Sequence, residues 1–438
     1  MDWPILLALI VVALVTLMLS GIPVVFSLGL MGLILAIVAW GPAGVYNIAA
    51  VAFGNVNAFT LVAVPLFIFM AETINRTGIG DDAFQMLHNW IGPIRGGLGV
   101  AGVLACALFA AVCGASAATT AAIGAIAVPA MLKAGYDKRL ATGTIAAGGA
   151  LGILIPPSIL MIIYGELTAQ SIGRLFIGGI VPGLMLVTFF SVYILFRCWK
   201  NPSLGPAAKV NLSVVDKFRT SWKVIPVIMI AVSMLGGIYT GVASTSEIAA
   251  VGALAALLIG IGYGKINWSS LKASFFATTE TTVFVLWILV AALMFGSVLS
   301  HLQLPQNLAI WITSLNVSPF SVLIIINIII LMLGCIMDTG SIIMVTIPIF
   351  APIVQYLGFD LVWFGVMIVV NMETANITPP FGLNLFIMKG IAPPEVSMKD
   401  IIWGAMPFAL LEIIGLALVI IFPQIIMWLP NRMMGIYS

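Results

Sequence analysis

Small and hydroxyl-bearing residues interrupt two apolar stretches of the sequence. The first interruption reads Cys-Gly-Ala-Ser-Ala-Ala-Thr-Thr at 113–120, and the second reads Met-Asp-Thr-Gly-Ser at 337–341. Unwound helix carbonyls and nearby hydroxyls are oxygen ligands suited to a hard, weakly charged cation such as Na⁺. We therefore predict two sodium sites, whose expected ligands are Asn57, Gly114 and Ser116 in one and Thr282, Asp338 and Thr339 in the other.

A second pair of interruptions contains consecutive prolines, at 152–158 and at 373–380. Proline fits the first turn of a helix, so each pair is expected to end one half-helix and begin another. The exposed amides at the start of a half-helix favour an anion. The residues expected to contact such an anion are Thr119, Pro157, Ser158, Ser341, Asn376, Thr378 and Pro380.

The interruptions recur at a constant offset along the chain. Pro129 and Pro352, Asp137 and Asp360, and the Pro-Pro pairs at 156–157 and 379–380 are each separated by 223 residues. Paired interrupted helices in two halves of a membrane protein indicate the binding site of a transporter. A single hydroxyl residue usually bonds its own helix backbone, but recurrence across 223 residues favours a functional reading of the set.

The composition is that of a membrane protein. Hydrophobic residues form 62% of the chain and charged residues 7%, with a mean hydropathy of +1.22. A soluble domain carries roughly a quarter charged residues. The net charge of +2 and the absence of a basic run argue against nucleic acid. The two histidines, His88 and His301, belong to no catalytic pattern, so an enzyme is not expected.

We predict an all-α polytopic protein with two inverted repeats, discontinuous helices and re-entrant hairpins. The hairpins are expected at 47–76, where Asn55 and Asn57 interrupt the apolar run, and at about 268–300, with a tip at 278–282. Three membrane crossings are expected between the first hairpin and the second pair of spans. Because this number is odd, the second half should be inverted relative to the first.

Positive charge predicts the orientation of the chain. Four Lys and Arg residues fall on one side of the expected topology and thirteen on the other, which should be cytoplasmic, so both termini are expected in the periplasm. No Lys or Arg precedes the first apolar run and no small-residue cleavage site follows it, which predicts a retained first span.

Several motifs resemble the large membrane subunit of the TRAP transporters. They are GIP (21–23), FTLVAVPLFIFMAETI (59–74), GASAATTAAIGAIAVPAM (114–131), LGILIPPSI (151–159), PGLM (182–185), GGIYTGVASTSEIAAVGA (236–253) and NITPPFGLNLF (376–386). They extend over nearly the whole chain in the family's order. The family pattern has an acidic residue near position 118, where this chain has Ala118, so the first sodium site should rely on Ser116 and backbone oxygens.

The resemblance implies a three-part system in a bacterial inner membrane: this subunit, a small subunit of four membrane helices, and a periplasmic solute-binding protein. It implies Na⁺-coupled uptake of an organic acid (a dicarboxylate, keto acid, sugar acid or sialic acid), with no cofactor besides the coupling ion. It also implies an elevator mechanism, in which a transport domain moves past a scaffold.

The expected domains follow from that mechanism. Residues 1–46, 167–264 with its polar loop 199–222, and 393–438 would form the scaffold, while 47–166 and 265–392 would form the two transport repeats. A standalone sodium/carboxylate symporter and, more remotely, an ion channel remain alternatives. The sequence leaves open which organic acid is carried, how many Na⁺ ions move per cycle, and the oligomeric state.

Overall fold

A computed structural model describes residues 2–210, 212–334, 337–433 and 435, and within these ranges all the regular secondary structure is helical. The first half contains α1 (Trp3–Leu19), α2 (Val24–Trp40), α3 (Ala43–Val56), α4 (Ala63–Thr77), α5 (Ile79–Ile91), α6 (Gly97–Cys113), α7 (Ser116–Lys133), α8 (Lys138–Ala150), α9 (Ile159–Thr168), α10 (Ile172–Lys200) and α11 (Val214–Trp222).

The second half contains α12 (Ile225–Tyr239), α13 (Thr245–Gly262), α14 (Trp268–His301), α15 (Leu304–Ser314), α16 (Pro319–Gly334), α17 (Thr339–Tyr356), α18 (Leu361–Ile377), α19 (Leu383–Ile391), α20 (Met398–Ile421) and α21 (Gln424–Met433). Short 3₁₀ turns occupy Phe59–Val62, Leu151–Ile153 and Pro202–Leu204. Seven segments of the described chain are long and apolar enough to cross a membrane. The chain is a multi-pass membrane protein.

The 223-residue offset reappears in the helix boundaries. Both ends of α7 and α17 differ by this offset, and each helix has 18 residues. The following helices begin in the same way, because Asp137 caps α8 and Asp360 caps α18 by accepting hydrogen bonds from two backbone amides. An acidic N-cap satisfies amides that have no partner within the helix. Equivalent local sequences therefore start equivalent helices.

The helices on either side of the first interruption fold back on each other. The backbone amide of Leu98, at the start of α6, donates a 3.0 Å hydrogen bond to the hydroxyl of Tyr136, which follows α7. Burial raises the pKa of Tyr136 to about 12, so this hydroxyl stays neutral and can accept the bond. The free ends of α6 and α7 therefore lie together, and the interruption at Gly114 is the tip of a hairpin.

The second interruption has the same arrangement. The rings of Phe320, at the start of α16, and Phe359, just after α17, have centroids 5.5 Å apart. The two helices pack against each other. The segments that fold back are thus 97–133 and 319–356.

The hairpins predicted elsewhere are wrong. Residues 268–301 form one continuous helix, α14, because the hydroxyls of Thr278 and Thr279 donate to carbonyls four residues earlier and leave the helix intact. Residues 47–76 form α3, a 3₁₀ turn and α4, and both helices pack along α14. They make a bent line beside α14 instead of a hairpin.

Two groups of helices are recognisable from their packing. One group surrounds the interruptions: α8 packs closely against α20, where the backbones of Gly143 and Gly404 approach so nearly that a Cβ on either would overlap the other chain segment. Helices α6, α7, α10 and α18 join this group. The other group contains α2, α3, α4, α13 and α14, which pack mainly against one another.

Candidate functional site

A buried hydrogen bond connects the first hairpin tip to the second half of the chain. Ser116 Oγ, at the start of α7, donates a 2.9 Å bond to Asn384 Oδ1 in α19. Asn384 Nδ2 in turn donates a 3.1 Å bond to the carbonyl oxygen of Ala146 in α8. Asn384 is completely buried and Ser116 is 4% exposed. Three half-helices therefore converge at this point.

The first hairpin tip also rests on the first Pro-Pro interruption. A Cβ on Gly114 would overlap the carbonyl oxygen of Pro157, and Gly114 has a φ of +67°, a conformation that favours glycine. A Cβ on Gly152 would lie 2.7 Å from the carbonyl oxygen of Ala115 and 2.8 Å from Thr119 Oγ1. The structure thus brings together Gly114, Ser116, Thr119 and Pro157, with backbone oxygens among them.

Helices α7 and α19 begin side by side. Ser116 contacts Asn384 near both starts, and Gly124 of α7 lies against Met388 and Ile391 further along α19, so the two helices run in the same direction. Neither Ala115, the N-cap of α7, nor Gly382, the N-cap of α19, supplies a side-chain cap. Within the part of the chain that the structure describes, two adjacent helix starts therefore present backbone amides without a side-chain acceptor.

The other two half-helices are capped. Ser158 is the N-cap of α9, accepts a bond from the Met161 amide, and donates to the carbonyl of Ile153. Asp338 is the N-cap of α17 and accepts bonds from the amide and hydroxyl of Ser341. The hydroxyls of Ser158 and Ser341, predicted to contact an anion, are thus already bonded to the protein.

The expectation that Pro157 and Pro380 occupy first helical turns is wrong. Helix α9 begins at Ile159 and α19 at Leu383, so both prolines lie in the connecting segment. The capping hydroxyl of Ser158 fixes the start of α9 after the prolines, and the left-handed Gly382 precedes α19.

The second hairpin tip lies against the end of α18. A Cβ on Gly334 would overlap Ala375 Cβ. Beyond Ala375, Thr378 Oγ1 donates a 2.6 Å bond to the carbonyl of Thr374. Asn376 is 4% exposed and makes no side-chain hydrogen bond within the described residues. Among the predicted anion contacts, Asn376 is therefore the residue whose side-chain amide remains available to bind an anion.

Two predicted sodium ligands lie apart from their expected partners. Asn57 is exposed in the turn after α3, and this turn packs against α13, where Ser246 Oγ donates to the carbonyl of Phe59. Thr282 lies within α14, and its buried hydroxyl has no hydrogen-bond partner among the described residues. No described contact joins either residue to Gly114, Ser116, Asp338 or Thr339.

Asn384 was missed by the sequence reasoning. It lies inside the motif 376–386 and directly follows the second Pro-Pro interruption, so its position after a break was visible. Its bond to Ser116 joins positions 268 residues apart, which no local pattern indicates.

The buried interruptions and the many apolar helices define the class: this is a polytopic membrane transport protein. The family described as "Tripartite ATP-independent periplasmic transporter, DctM component" matches residues 11–425. The chain belongs to this family and is the large membrane component of such a transporter, not an enzyme.

Three relatives illustrate the similarity. The C4-dicarboxylate TRAP transporter large permease protein DctM of Pseudomonas aeruginosa is 36% identical over 92% of this chain and 94% of its own length. The sialic acid large permease protein SiaM of Vibrio cholerae is 30% identical over 96% and 97%. The ectoine large permease protein TeaC of Halomonas elongata is 32% identical over 97% and 98%.

Two solved structures share the fold. The YdaH transporter of Alcanivorax borkumensis superposes with a TM-score of 0.64 at 16% identity, covering 86% of this chain and 88% of its own. MtrF of Neisseria gonorrhoeae gives a TM-score of 0.57 at 14% identity, covering 87% and 85%. At such identities the likeness concerns the fold alone.

Proposed function

We propose that this chain carries an organic acid inward, coupled to Na⁺, as one part of a binding-protein-dependent transporter. The observation that supports the proposal most directly is the pair of adjacent, uncapped helix starts of α7 and α19. Each helix start carries about half an elementary positive charge. Two such ends side by side repel each other, and a carboxylate between them relieves that repulsion.

The substrate class follows from the chemistry of this site. The four interruptions contain no Lys or Arg, and the Thr119 hydroxyl already donates to the carbonyl of Ala115, so a carboxylate must be held by backbone amides and by the Asn376 side chain. The relatives are named for C4-dicarboxylates, sialic acid and ectoine, and each of these compounds carries a carboxylate. A shared carboxylate site with a variable remainder accounts for this range of substrates.

The Na⁺ sites are proposed at the two hairpin tips. Gly114 and Ser116 occupy the first tip, close to the carbonyls of Ala115 and Pro157, and Asp338 and Thr339 occupy the second. Backbone carbonyls freed by a break are suitable sodium ligands. Asn57 and Thr282 stay predictions, and their surroundings do not support them.

The proposed partners are a small membrane subunit of four helices and a periplasmic solute-binding protein, in a bacterial inner membrane. They are supported by the family, whose description names a tripartite periplasmic transporter.

The proposed elevator motion requires a different division of the chain from the one predicted. Helices α10 and α20, assigned to the scaffold, pack against α6, α8 and α18, so we place them in the moving group. The scaffold would then be the group around α2, α4, α13 and α14. A cavity of about 480 Å³ lies where the two groups meet, lined by Gly296 and Ser300 of α14 and Pro348 and Gln355 of α17.

The hairpin positions in the structure increase the charge difference between the two sides of the membrane, which supports the proposed orientation. With α3 and α4 as one crossing, Arg76 and Arg95 move to the basic side, which then carries fifteen Lys and Arg residues against two, Arg174 and Arg432. The ion pairs agree with this arrangement: Arg139 lies 3.3 Å from Asp400 on one side, and Arg174 lies 3.9 Å from Asp360 on the other. Both termini are proposed to be periplasmic.

Reconstituted uptake tests the proposal. Proteoliposomes containing both membrane subunits should accumulate the organic acid only with the binding protein and an inward Na⁺ gradient. Uptake that continues without the binding protein would support a standalone symporter. A steady ionic current without substrate would support a channel. Uptake driven equally by K⁺ would reject Na⁺ coupling.

A further inference from the structure

Two glutamates are completely buried where α18 packs against α20. Glu373 lies near the end of α18 and Glu412 lies in the middle of α20, and both are 0% exposed. The Trp363 indole, near the start of α18, donates a 2.9 Å bond to the carbonyl of Val419, near the end of α20. Because the two helices pack along each other from this contact, they run antiparallel, and the last part of α18 with Glu373 lies toward the middle of α20 with Glu412.

Neither glutamate has a hydrogen-bond partner among the described residues. All four carboxyl oxygens are buried and make no hydrogen bond within the described residues. Two ionised carboxylates in an apolar interior would suffer both the loss of hydration and mutual repulsion. A cation of some kind must therefore reduce the charge of the pair, and a proton is the smallest.

The described residues of the surrounding helices supply no countercharge. No ion pair or hydrogen bond joins any of their titratable groups to either glutamate. Most of these groups lie toward the ends of their helices: Lys138 and Arg139 of α8, Glu166 of α9, Arg174, Arg197, Cys198 and Lys200 of α10, Tyr356 of α17, Lys389 of α19, Lys399 and Asp400 of α20, and Arg432 of α21. Tyr164 of α9 and Tyr193 of α10 lie further inside their helices, and the Tyr164 hydroxyl donates to the carbonyl of Leu361 at the start of α18.

Several of these groups are engaged elsewhere. Arg139 and Lys138 pair with Asp400, and Arg174 pairs with Asp360. Lys389 donates to the carbonyl of Val396. The pair of glutamates is consequently isolated from the ion pairs at both membrane faces.

The glutamates belong to the second half alone. Positions 223 residues earlier hold Ala150 and Phe189, so the repeated backbone does not require acidic residues here. Glu373 is the first residue of the interruption 373–380, and Ala375 contacts the second hairpin tip at Gly334. Glu373 therefore lies in the same helix end that supports the proposed site at Asp338.

We propose that Glu373 and Glu412 form a proton-binding site, in which one carboxyl carries a proton and releases it to water when Na⁺ binds at the second hairpin tip. The positive charge of a bound Na⁺ in a low-dielectric interior favours the ionised form of a nearby carboxyl. The O–H bond of one carboxyl breaks, the carboxylate keeps the electron pair, and one positive charge replaces another. The link to Na⁺ rests on the proposed function, whereas proton binding does not.

Infrared spectroscopy of the purified membrane complex tests the proton directly. The wild-type protein should show a carbonyl absorption of protonated carboxyl that titrates with pH. It should be absent from the double variant Glu373→Gln/Glu412→Gln and retained in Glu395→Gln, which changes an exposed glutamate. Glutamine resembles a neutral glutamic acid, and the thermal midpoint checks that the double variant folds. A wild-type protein without the band, or a band unchanged in the double variant, would overturn the proposal.

Proton release tests the exchange. Adding NaCl to the complex in weakly buffered solution should acidify it by about one proton per chain. The same addition should have no effect on the double variant, and KCl should have no effect on either protein. A band that persists with no Na⁺-dependent release would reject exchange. If Na⁺ fails to drive uptake while the titrating band is present, the proposed function fails and the proton site stands.

Discussion

Ser116 and Asn384 share a buried hydrogen bond of 2.9 Å, although 268 residues separate them in the sequence. Ser116 is the first residue of α7, directly after the first hairpin tip, and Asn384 is the second residue of α19, shortly after the second Pro-Pro interruption. This bond fixes the distance between two helix starts that bear partial positive charge. It therefore determines the shape of the proposed carboxylate site.

Breaking this bond should impair uptake more than stability. Ser116→Ala removes the donor, and Asn384→Ala removes the acceptor together with the bond to Ala146. A buried polar group left without its partner costs about 1–3 kcal/mol. The two substitutions should not be additive, because each removes the same bond. A double-mutant cycle on the apparent KM for substrate measures this coupling.

Thr279→Val provides the control for that cycle. Thr279 is exposed on α14, and its hydroxyl bonds only its own helix. Combined with Ser116→Ala it should give additive effects. Additive effects of Ser116→Ala and Asn384→Ala themselves would show that the bond does not shape the site.

The sequence predicted the interruptions but misassigned the hairpins. Glycine and consecutive prolines disfavour the continuation of a helix, so the breaks at Gly114 and at the Pro-Pro pairs follow from local chemistry. The run 278–282 looked equally polar, yet Thr278 bonds a carbonyl four residues earlier and the helix stays intact. Whether two half-helices fold back depends on contacts such as that between Leu98 and Tyr136, which the sequence does not reveal.

The candidate site was also only partly predictable. Ser116, Thr119 and Pro157 lie together as their shared location at interruptions suggested. Ser158 and Asp338 proved to be helix caps, a role that their positions before a helix equally allow. The bond between Asn384 and Ser116 and the Glu373–Glu412 pair depend on packing between distant helices, so spacing along the chain gave no signal for these pairings.

Gly114 should not tolerate alanine. A Cβ there would overlap the carbonyl of Pro157, and the φ of +67° adds a strain of about 1–2 kcal/mol for any other residue. Gly358→Ala is a matched control, because Gly358 has a φ of +84° and open space around it. Uptake should be lost in Gly114→Ala and kept in Gly358→Ala. Equal losses would mean that backbone strain alone explains the effect.

Asp338→Asn should weaken the Na⁺ dependence of uptake without unfolding α17. Asparagine is as good an N-cap as aspartate, so the bond to the Ser341 amide is retained while the negative charge is removed. The Na⁺ concentration that gives half-maximal uptake should rise at least severalfold. Glu247→Gln is the comparison, since Glu247 belongs to a capping box on α13, far from the interruptions. Similar, mild changes in both variants would remove Asp338 from the proposed sodium site.

Asn376 and Ser158, both predicted to contact the anion, should behave differently. Ser158 is fully buried and caps α9, so Ser158→Ala should lower stability by about 1 kcal/mol through loss of the cap. Asn376 has no side-chain partner among the described residues, so Asn376→Ala should leave the thermal midpoint nearly unchanged.

Substrate affinity separates the two residues further. Asn376→Ala should raise the KM for the organic acid about tenfold, the effect of losing one hydrogen bond to a charged group. Ser158→Ala should leave the KM near its wild-type value, because a smaller amount of folded protein lowers the maximal rate of uptake and not the KM. Both variants should still co-purify with the small subunit. A KM that changes for Ser158→Ala and not for Asn376→Ala would place the carboxylate beside α9 instead of at the starts of α7 and α19.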